Sequence, residues 1–222
     1  IDKVFYKKTY DYIETVNKVS HDLVSMLDLK KIFNSVGDVI FSTLGLKSIY
    51  LLSAGPGGDY EVVYNMSYGG GKKGRQQTID PRQQTTEHRT QTGEEILKID
   101  GDSDLVRLLK TSDDVVIKDE LTGIVEVLGQ EAIDNISSAM KPFNGEVIAP
   151  VFIDDKLSLL IVLGGKLSGD IFTNEDVNLL KTVSNQTAIA IKNASFYAEK
   201  LRSERFASIG MMSATFAHEI RN

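Results

Sequence analysis

Residues 146–201 read EVIAPVFIDDKLSLLIVLGGKLSGDIFTNEDVNLLKTVSNQTAIAIKNASFYAEKL, and this stretch decides the fold. Two near-continuous apolar runs, 147–153 and 157–163, flank a two-residue turn, which predicts a hairpin in the buried middle of a sheet. A helix follows, with Thr173 or Asn174 as its predicted N-cap and Asp176 in the first turn, where the helix dipole favours an acid. No proline or glycine interrupts this helix before Gly210, so we expect about 49 helical residues, roughly 70 Å at about 1.5 Å per residue.

Upstream of this stretch, short strands and amphipathic helices alternate between clear turn signals. In chain order, helices are predicted at 4–27, 29–44 (capped by Asp28 and Gly45), 105–110 and 126–140, and strands at 48–53, 60–66 and 115–117. Residues 69–93 carry almost no large apolar side chain, which predicts a mobile surface insertion or lid. The order of elements predicts an α+β fold, with one antiparallel sheet and helices segregated by face.

Composition narrows the possible functions. The 222 residues carry a formal net charge of −6 and include no cysteine. A net negative charge disfavours nucleic acid and anionic lipid as partners, and the lack of cysteine excludes disulfides, thiolate metal sites and thioether-linked chromophores. No apolar run approaches the roughly 18–20 residues of a membrane span, and no signal peptide is present. We therefore expect a cytoplasmic protein without membrane contact in this segment and without a metal site.

The long final helix also carries a heptad-like pattern. Its apolar and small residues alternate spacings of three and four at Leu180, Val183, Thr187, Ala190, Ala194, Tyr197 and Leu201. This pattern predicts a parallel coiled coil and therefore a homodimer. We expect the long N- and C-terminal helices to form a coiled-coil stalk through which two subunits pair. After Leu201 the spacing breaks, and a phase break of this kind changes supercoiling locally.

The stretch that decides the fold resembles the C-terminal half of GAF domains. The resemblance rests on a strand containing Pro150, a strand end G-G-K at 164–166, F-T-N-E-D at 172–176 and Q-T-A-I-A-I-K-N-A at 186–194. It covers roughly residues 10–195, more loosely in the N-terminal half. The resemblance implies a GAF-like sheet flanked by helices and a sensory role.

A second resemblance lies at the C-terminus. Residues 206–222, FASIGMMSATFAHEIRN, resemble the H-box of sensor histidine kinases, in which A-H-E-[IL]-R-N surrounds the phosphorylated histidine. The resemblance implies that His218 is the phospho-acceptor, and that ATP and Mg²⁺ are bound by a catalytic domain outside this chain. We expect the fragment to be inactive alone, with a response regulator as the partner of the longer protein.

The residues around His218 agree with that chemistry. At about 100° per residue, His218 lies roughly 200° around the helix from Phe216 and from Ile220, so it faces solvent if those two side chains face a bundle core. An exposed imidazole is accessible to a nucleotide γ-phosphate and is mostly neutral near pH 7. Glu219 is a candidate base for the imidazole proton, and the resemblance implies that Asn222 orients water in the reverse reaction. The alternative is a surface histidine; a zinc H-E-x-x-H site is excluded because residue 222 is asparagine.

The GAF resemblance raises a second candidate site. Lys166, Phe172 and Asp176 match in spacing the N-K…F-x-x-x-D-E pattern of cyclic-nucleotide-binding GAF domains, although Gly165 and Val177 replace the Asn and the Glu. The alternative is a structural role, with a ring buried at the helix start and an acid in its first turn.

A ligand pocket is expected, by analogy of fold, between the sheet and the lid side. Its candidate walls are Tyr50, Tyr64, Met66 and residues 103–109. The ligand, if there is one, is an unidentified small molecule, and no cofactor is predicted within the fragment.

These observations divide the chain into four segments: a helix at 1–28, a GAF-like sensor domain at 29–192, a coiled-coil linker at 193–208 and the start of a histidine-phosphotransfer helix at 209–222. The predicted function is the sensory part of a two-component histidine kinase that autophosphorylates on His218 and passes the phosphoryl group to a response-regulator aspartate. Two alternatives stay open: a regulatory module that binds a cyclic nucleotide, and a dimerisation module that binds nothing.

Overall fold

A computed structural model describes residues 23, 25–68, 77–78 and 97–221, and for 77, 78, 208 and 210–221 the description covers the backbone alone. The main helices are α1 (Leu29–Leu44), α2 (Asp104–Ser112), α3 (Val125–Leu128), α4 (Gln130–Met140) and α5 (Asn174–Arg221). The strands are β1 (Ser48–Ala54), β2 (Tyr60–Ser67), β3 (Gln77–Thr78), β4 (Lys98–Ile99), β5 (Val116–Ile117), β6 (Gly145–Ile153) and β7 (Lys156–Gly164). Short 3₁₀ helices span Lys118–Ile124 and Lys141–Phe143.

The strands form one antiparallel sheet in the order β3-β2-β1-β7-β6-β5, with β4 also paired to β2. The hairpin predicted from 147–163 supplies the central strands β6 and β7, and β7 pairs with β1. Asp154 and Asp155 both have positive φ and form the hairpin turn, a backbone conformation that Asp tolerates better than most residues. The predicted α+β class with helices segregated by face is confirmed.

The sheet has an apolar core on each face. The first core lies against α1 and α5 and includes Ile49, Leu51, Val147 and Ile161. The second lies against α2 and α4 and includes Leu52, Ile148, Leu160 and Val162. Because consecutive side chains of a strand point to opposite faces, continuous apolar runs such as LLIV are needed to fill both cores.

Helix α1 begins and ends where its local sequence predicts. The Asp28 carboxylate accepts hydrogen bonds from the N–H groups of Lys30 and Lys31 at 2.8 and 3.3 Å. Gly45 has a φ of 60° and closes the helix by donating its N–H to Phe41, a left-handed cap conformation that glycine adopts without strain. Ser103 caps the N-terminus of α2 as Asp28 caps that of α1, because its side chain accepts the N–H of Val106.

The structure differs from the predicted elements in the segment 118–140, and two other predicted segments lie mostly outside the described residues. The helix expected over 126–140 is divided at Gly129, whose φ of 82° ends α3 and starts α4. The 3₁₀ segment Lys118–Ile124 was not predicted, because it has no apolar periodicity. Most of the expected helix at 4–27 lies outside the described residues, although Leu23 is helical and fully buried. The expected insertion at 69–93 also lies outside them, apart from the strand β3.

Candidate functional site

The entry to α5 is held by a buried ion pair. The Lys166 ammonium contacts the Asp176 carboxylate, whose side chain is 1% exposed, while the Lys166 side chain is 11% exposed. The same ammonium lies 5.1 Å from the centre of the Phe172 ring and donates to the Ile171 carbonyl at 3.2 Å. Asp176 also accepts the Thr173 N–H at 2.7 Å, and Thr173 Oγ1 accepts the Asp176 N–H at 3.4 Å, as in a capping box.

The structure therefore brings Lys166, Phe172 and Asp176 together, but as partners of one another. The Asp176 carboxylate is engaged by an ammonium and a backbone N–H and is almost fully buried. A ligand would have to displace these contacts and leave a buried charge unpaired, which costs several kcal/mol. This geometry matches the structural alternative for the three residues, and we call the group the α5 clasp.

The predicted pocket walls do not lie on one side of the sheet. Tyr64 pairs with Leu51 and Met66 with Ile49, and all four pack in the core on the α1/α5 face. Tyr50 lies on the opposite face, where its ring meets the Phe143 ring edge-on at 5.3 Å. The expectation that Tyr50, Tyr64 and Met66 line one pocket is thus corrected, because a strand alternates its side chains and only the strand register decides which residues share a face.

Tyr64 has a structural environment of its own. Its ring is fully buried beneath Gly37 of α1, where a β-carbon would lie 2.1 Å from the ring. Its hydroxyl donates to Asp38 Oδ1 at 2.7 Å. Burial and this hydrogen bond both raise the pKa of the Tyr64 phenol far above its ordinary value. Tyr64 therefore fastens α1 to the sheet as a neutral donor.

The α2–α4 face of the sheet holds the other predicted pocket residues. Leu105, Val106 and Leu109 of α2 pack against the sheet on the same side as Tyr50. In the part of the chain that the structure describes, the only buried side-chain polar atom without a hydrogen-bond partner is Ser184 Oγ, which belongs to α5. No buried polar side chain described on the α2–α4 face thus awaits a ligand, and apolar side chains occupy that core.

This face is also strongly acidic. Residues 100–134 contain ten acidic and three basic residues, a net charge of −7 in a chain whose total is −6. All ten acidic residues except the half-buried Asp104 are exposed. A surface of this sign repels anions, so its charge counts against a cyclic nucleotide as the ligand.

The first part of α5 belongs to the core on the α1/α5 face, which corrects the predicted coiled-coil seam. Leu180, Val183 and Thr187 are at most 1% exposed, and Ala190 and Ala194 are fully buried. The four apolar residues of this set belong to the core on the α1/α5 face. The Thr187 hydroxyl donates to the Val183 carbonyl at 2.7 Å. These positions contact this chain's own core and are not available to a second subunit. Among the predicted seam residues, Tyr197 and Leu201 are exposed.

A different stripe of α5 is exposed along the same region. Ile189 is 46% exposed and Phe196, seven residues later, is 71% exposed. Asn193 lies between them and is also exposed. Spacings of four and three place Ile189, Asn193 and Phe196 on one helical stripe, in the manner of a coiled-coil seam with a polar residue at its centre. We call these three residues the outer stripe.

Helix α5 continues as one element from the core on the α1/α5 face to Arg221. His218 follows Ala194 by 24 residues, roughly 36 Å of helix at about 1.5 Å per residue. The backbone of His218 and Glu219 is helical, whereas Asn222 lies outside the described residues. The roles of all three stay predictions.

Sequence reasoning missed two ion pairs that hold α5 to the rest of the domain. Lys181 Nζ lies 2.8 Å from Asp114 Oδ1, and Lys192 contacts Asp154 in the β6–β7 turn. Each pair joins residues far apart in sequence, so no local pattern could have indicated it.

Comparison with solved structures identifies the fold. A methyl-accepting chemotaxis protein, residues 122 to 287, aligns with a TM-score of 0.56 and 14% identity over 81% of this chain and 98% of its own. The GAF domain of a phosphoenolpyruvate-protein phosphotransferase from Coxiella burnetii aligns with a TM-score of 0.54 and 12% identity over 86% and 98%. The phycoerythrobilin-bound GAF domain of a cyanobacterial phytochrome aligns with a TM-score of 0.51 and 14% identity over 84% and 96%.

The class that these likenesses define is the GAF-like fold, in which an antiparallel sheet is flanked by helices. No protein-family model and no curated protein sequence matches the chain. The likeness to these solved structures therefore establishes the architecture of the chain alone. Among the described residues, no helix is both long enough and apolar enough to cross a bilayer.

Proposed function

We propose that the chain is the sensory portion of a cytoplasmic two-component histidine kinase, in which α5 joins a GAF-like sensor domain to the phospho-acceptor His218. The observation that carries this proposal is the continuity of α5. One helix contributes Leu180 and Val183 to the sensor core and then runs through the sequence A-H-E-I-R at 217–221, which includes His218. A rearrangement of the sensor core acts directly on such a helix.

The proposed reaction is phosphoryl transfer from ATP to His218. A ring nitrogen attacks the γ-phosphorus, an N–P bond forms as the bond to ADP breaks, and the imidazole proton passes to a base, for which Glu219 is the candidate. ATP and Mg²⁺ are held by a catalytic domain outside this chain. The phosphoryl group then passes to an aspartate of a response regulator, and Asn222 is the candidate for orienting water when the reaction is reversed to dephosphorylation.

The outer stripe supports a homodimer as the working form. Ile189 and Phe196 expose apolar side chains at a spacing of seven residues, and Asn193 sits between them at a position where a polar residue fixes the register of a coiled coil. We propose that a second copy of the chain packs here in parallel. This arrangement replaces the seam predicted from Leu180 to Leu201, because the sensor core occupies its first five positions, Leu180 to Ala194.

The test uses the complete protein, with its ATP-binding domain, incubated with radiolabelled ATP and Mg²⁺. We expect acid-labile, alkali-stable label that His218→Ala abolishes. The chain offers matched controls, because His21→Ala and His88→Ala remove its other two histidines and should leave the label in place. Equal incorporation by His218→Ala would refute the proposal and favour a dimerisation module without phosphotransfer. The packed apolar core on the α2–α4 face is the observation that favours this second candidate.

A further inference from the structure

Within the part of the chain that the structure describes, three lysine–aspartate pairs attach α5 to the sensor domain, and each reaches a different element. Lys166–Asp176 fastens the first turn to the loop after β7, and Lys192–Asp154 reaches the β6–β7 turn. The third pair, Lys181–Asp114, reaches the corner between α2 and β5. This pair therefore links α5 to the helix layer on the opposite face of the sheet.

The corner is short and ordered by its own hydrogen bonds. Helix α2 ends at Ser112, and Asp113 adopts a left-handed conformation with a φ of 50° while its N–H donates to the Leu109 carbonyl at 3.1 Å. The Asp114 carboxylate accepts the Val115 N–H at 2.6 Å. Three residues thus separate α2 from β5, so a displacement of the end of α2 moves Asp114.

The same corner contacts both cores. Val116 packs with the α2–α4 core, whereas Val115 and Ile117 pack against the α1/α5 core. Partial burial would raise the pKa of Asp114, but hydrogen bonds from Lys181 and from the Val115 N–H outweigh it and lower that pKa. The carboxylate is therefore ionised at neutral pH and keeps its attraction for Lys181 in α5.

We propose that the Asp114–Lys181 pair couples α2 to α5, so that an event on the α2–α4 face reaches the helix that carries His218. The inference deepens the proposed function and rests on it for the role of His218. The coupling itself involves only residues of this chain and can be tested without phosphorylation. It predicts that a disturbance confined to α2 changes α5 more strongly when the pair is intact than when it is removed.

The experiment perturbs α2 and records amide hydrogen exchange by mass spectrometry in peptides of α2 and of α5 around residues 177–191. Leu109→Ala disturbs the last turn of α2, where Leu109 is fully buried. We expect faster exchange in both helices. In an Asp114→Asn background, Leu109→Ala should still speed exchange in α2 but should have less effect in α5. Because an exposed ion pair contributes only a small stabilisation, we expect the α5 response to Leu109→Ala to differ by about 1.5- to 5-fold in exchange rate between the two backgrounds.

The matched control is Lys192→Gln, which removes the other exposed pair on α5 without touching α2. In that background Leu109→Ala should still reach α5 in full, which separates coupling from a general loss of stability. If Leu109→Ala prevents folding, Leu109→Val is a milder perturbation of the same turn. An equal α5 response with and without the Asp114 carboxylate overturns the proposal. Hydrogen exchange needs neither ATP nor His218, so this result and the phosphorylation result fail independently.

Discussion

The α5 clasp gives a sharp test of how helix α5 is anchored to the domain. Asp176→Asn keeps the size of the side chain and an oxygen for the Thr173 N–H, but leaves the Lys166 ammonium buried without its counter-charge. Removing one partner of a buried pair costs about 3–5 kcal/mol, and about 1 kcal/mol shifts the unfolding temperature by roughly 2–4 °C in a chain of this size. We therefore expect Asp176→Asn to lower that temperature by roughly 6–20 °C in thermal unfolding followed by circular dichroism.

The chain provides a matched comparison on the same helix. Lys192–Asp154 has the same residue types, but its side chains are 59% and 67% exposed. An exposed pair contributes at most about 1 kcal/mol, so Asp154→Asn should lower the unfolding temperature by no more than about 4 °C. In the Asp176→Asn background, Lys166→Met removes the stranded charge and keeps a long side chain beside Phe172. We expect this double variant to recover most of the loss. If Asp176→Asn and Asp154→Asn lower the unfolding temperature equally, burial does not determine how much the clasp ion pair stabilises the fold.

Two further predictions concern α1 and the outer stripe. Because the folded-state pKa of the Tyr64 phenol is raised above its unfolded value of about 10, its contribution is fully present below that pH and is lost as pH rises further. Tyr64→Phe should lower the free energy of unfolding at neutral pH by about 0.5–1.5 kcal/mol and weaken the alkaline loss, measured by urea titration across pH; an unchanged alkaline slope would contradict this. Phe196→Glu should dissociate the dimer in light scattering while Val127→Glu, at another exposed apolar residue, does not; a dimer that survives Phe196→Glu rules out the outer stripe.

Local signals predicted both ends of α1. Asp28 and Gly45 each act through backbone groups within a few residues, so their effect is readable from the sequence alone. The β6–β7 hairpin was also readable, because two apolar runs in 147–163 flank a two-residue turn. The clasp residues were also found by spacing, although their spacing could not tell whether they bind one another or a ligand.

The two corrections have a common physical origin. A spacing of three and four describes any helix with one apolar stripe, so Leu180 to Ala194 could not reveal whether a second subunit or this chain's own sheet covers the stripe. In the same way, the side chains of Tyr50 and Tyr64 both suit a pocket wall, and only the pairing of Tyr64 with Leu51 places them on opposite faces. Such facts depend on long-range register, which no short pattern records.

The continuity of α5 also has a mechanical consequence. A helix pivoting near Ala194 acts as a lever about 36 Å long at the position of His218. A tilt of about 5° at the pivot therefore displaces the distal backbone by roughly 3 Å, about the length of a hydrogen bond. Under the proposed function, a change in side-chain packing too small to alter the GAF-like fold would be enough to move the His218 backbone into or out of line with a nucleotide phosphate.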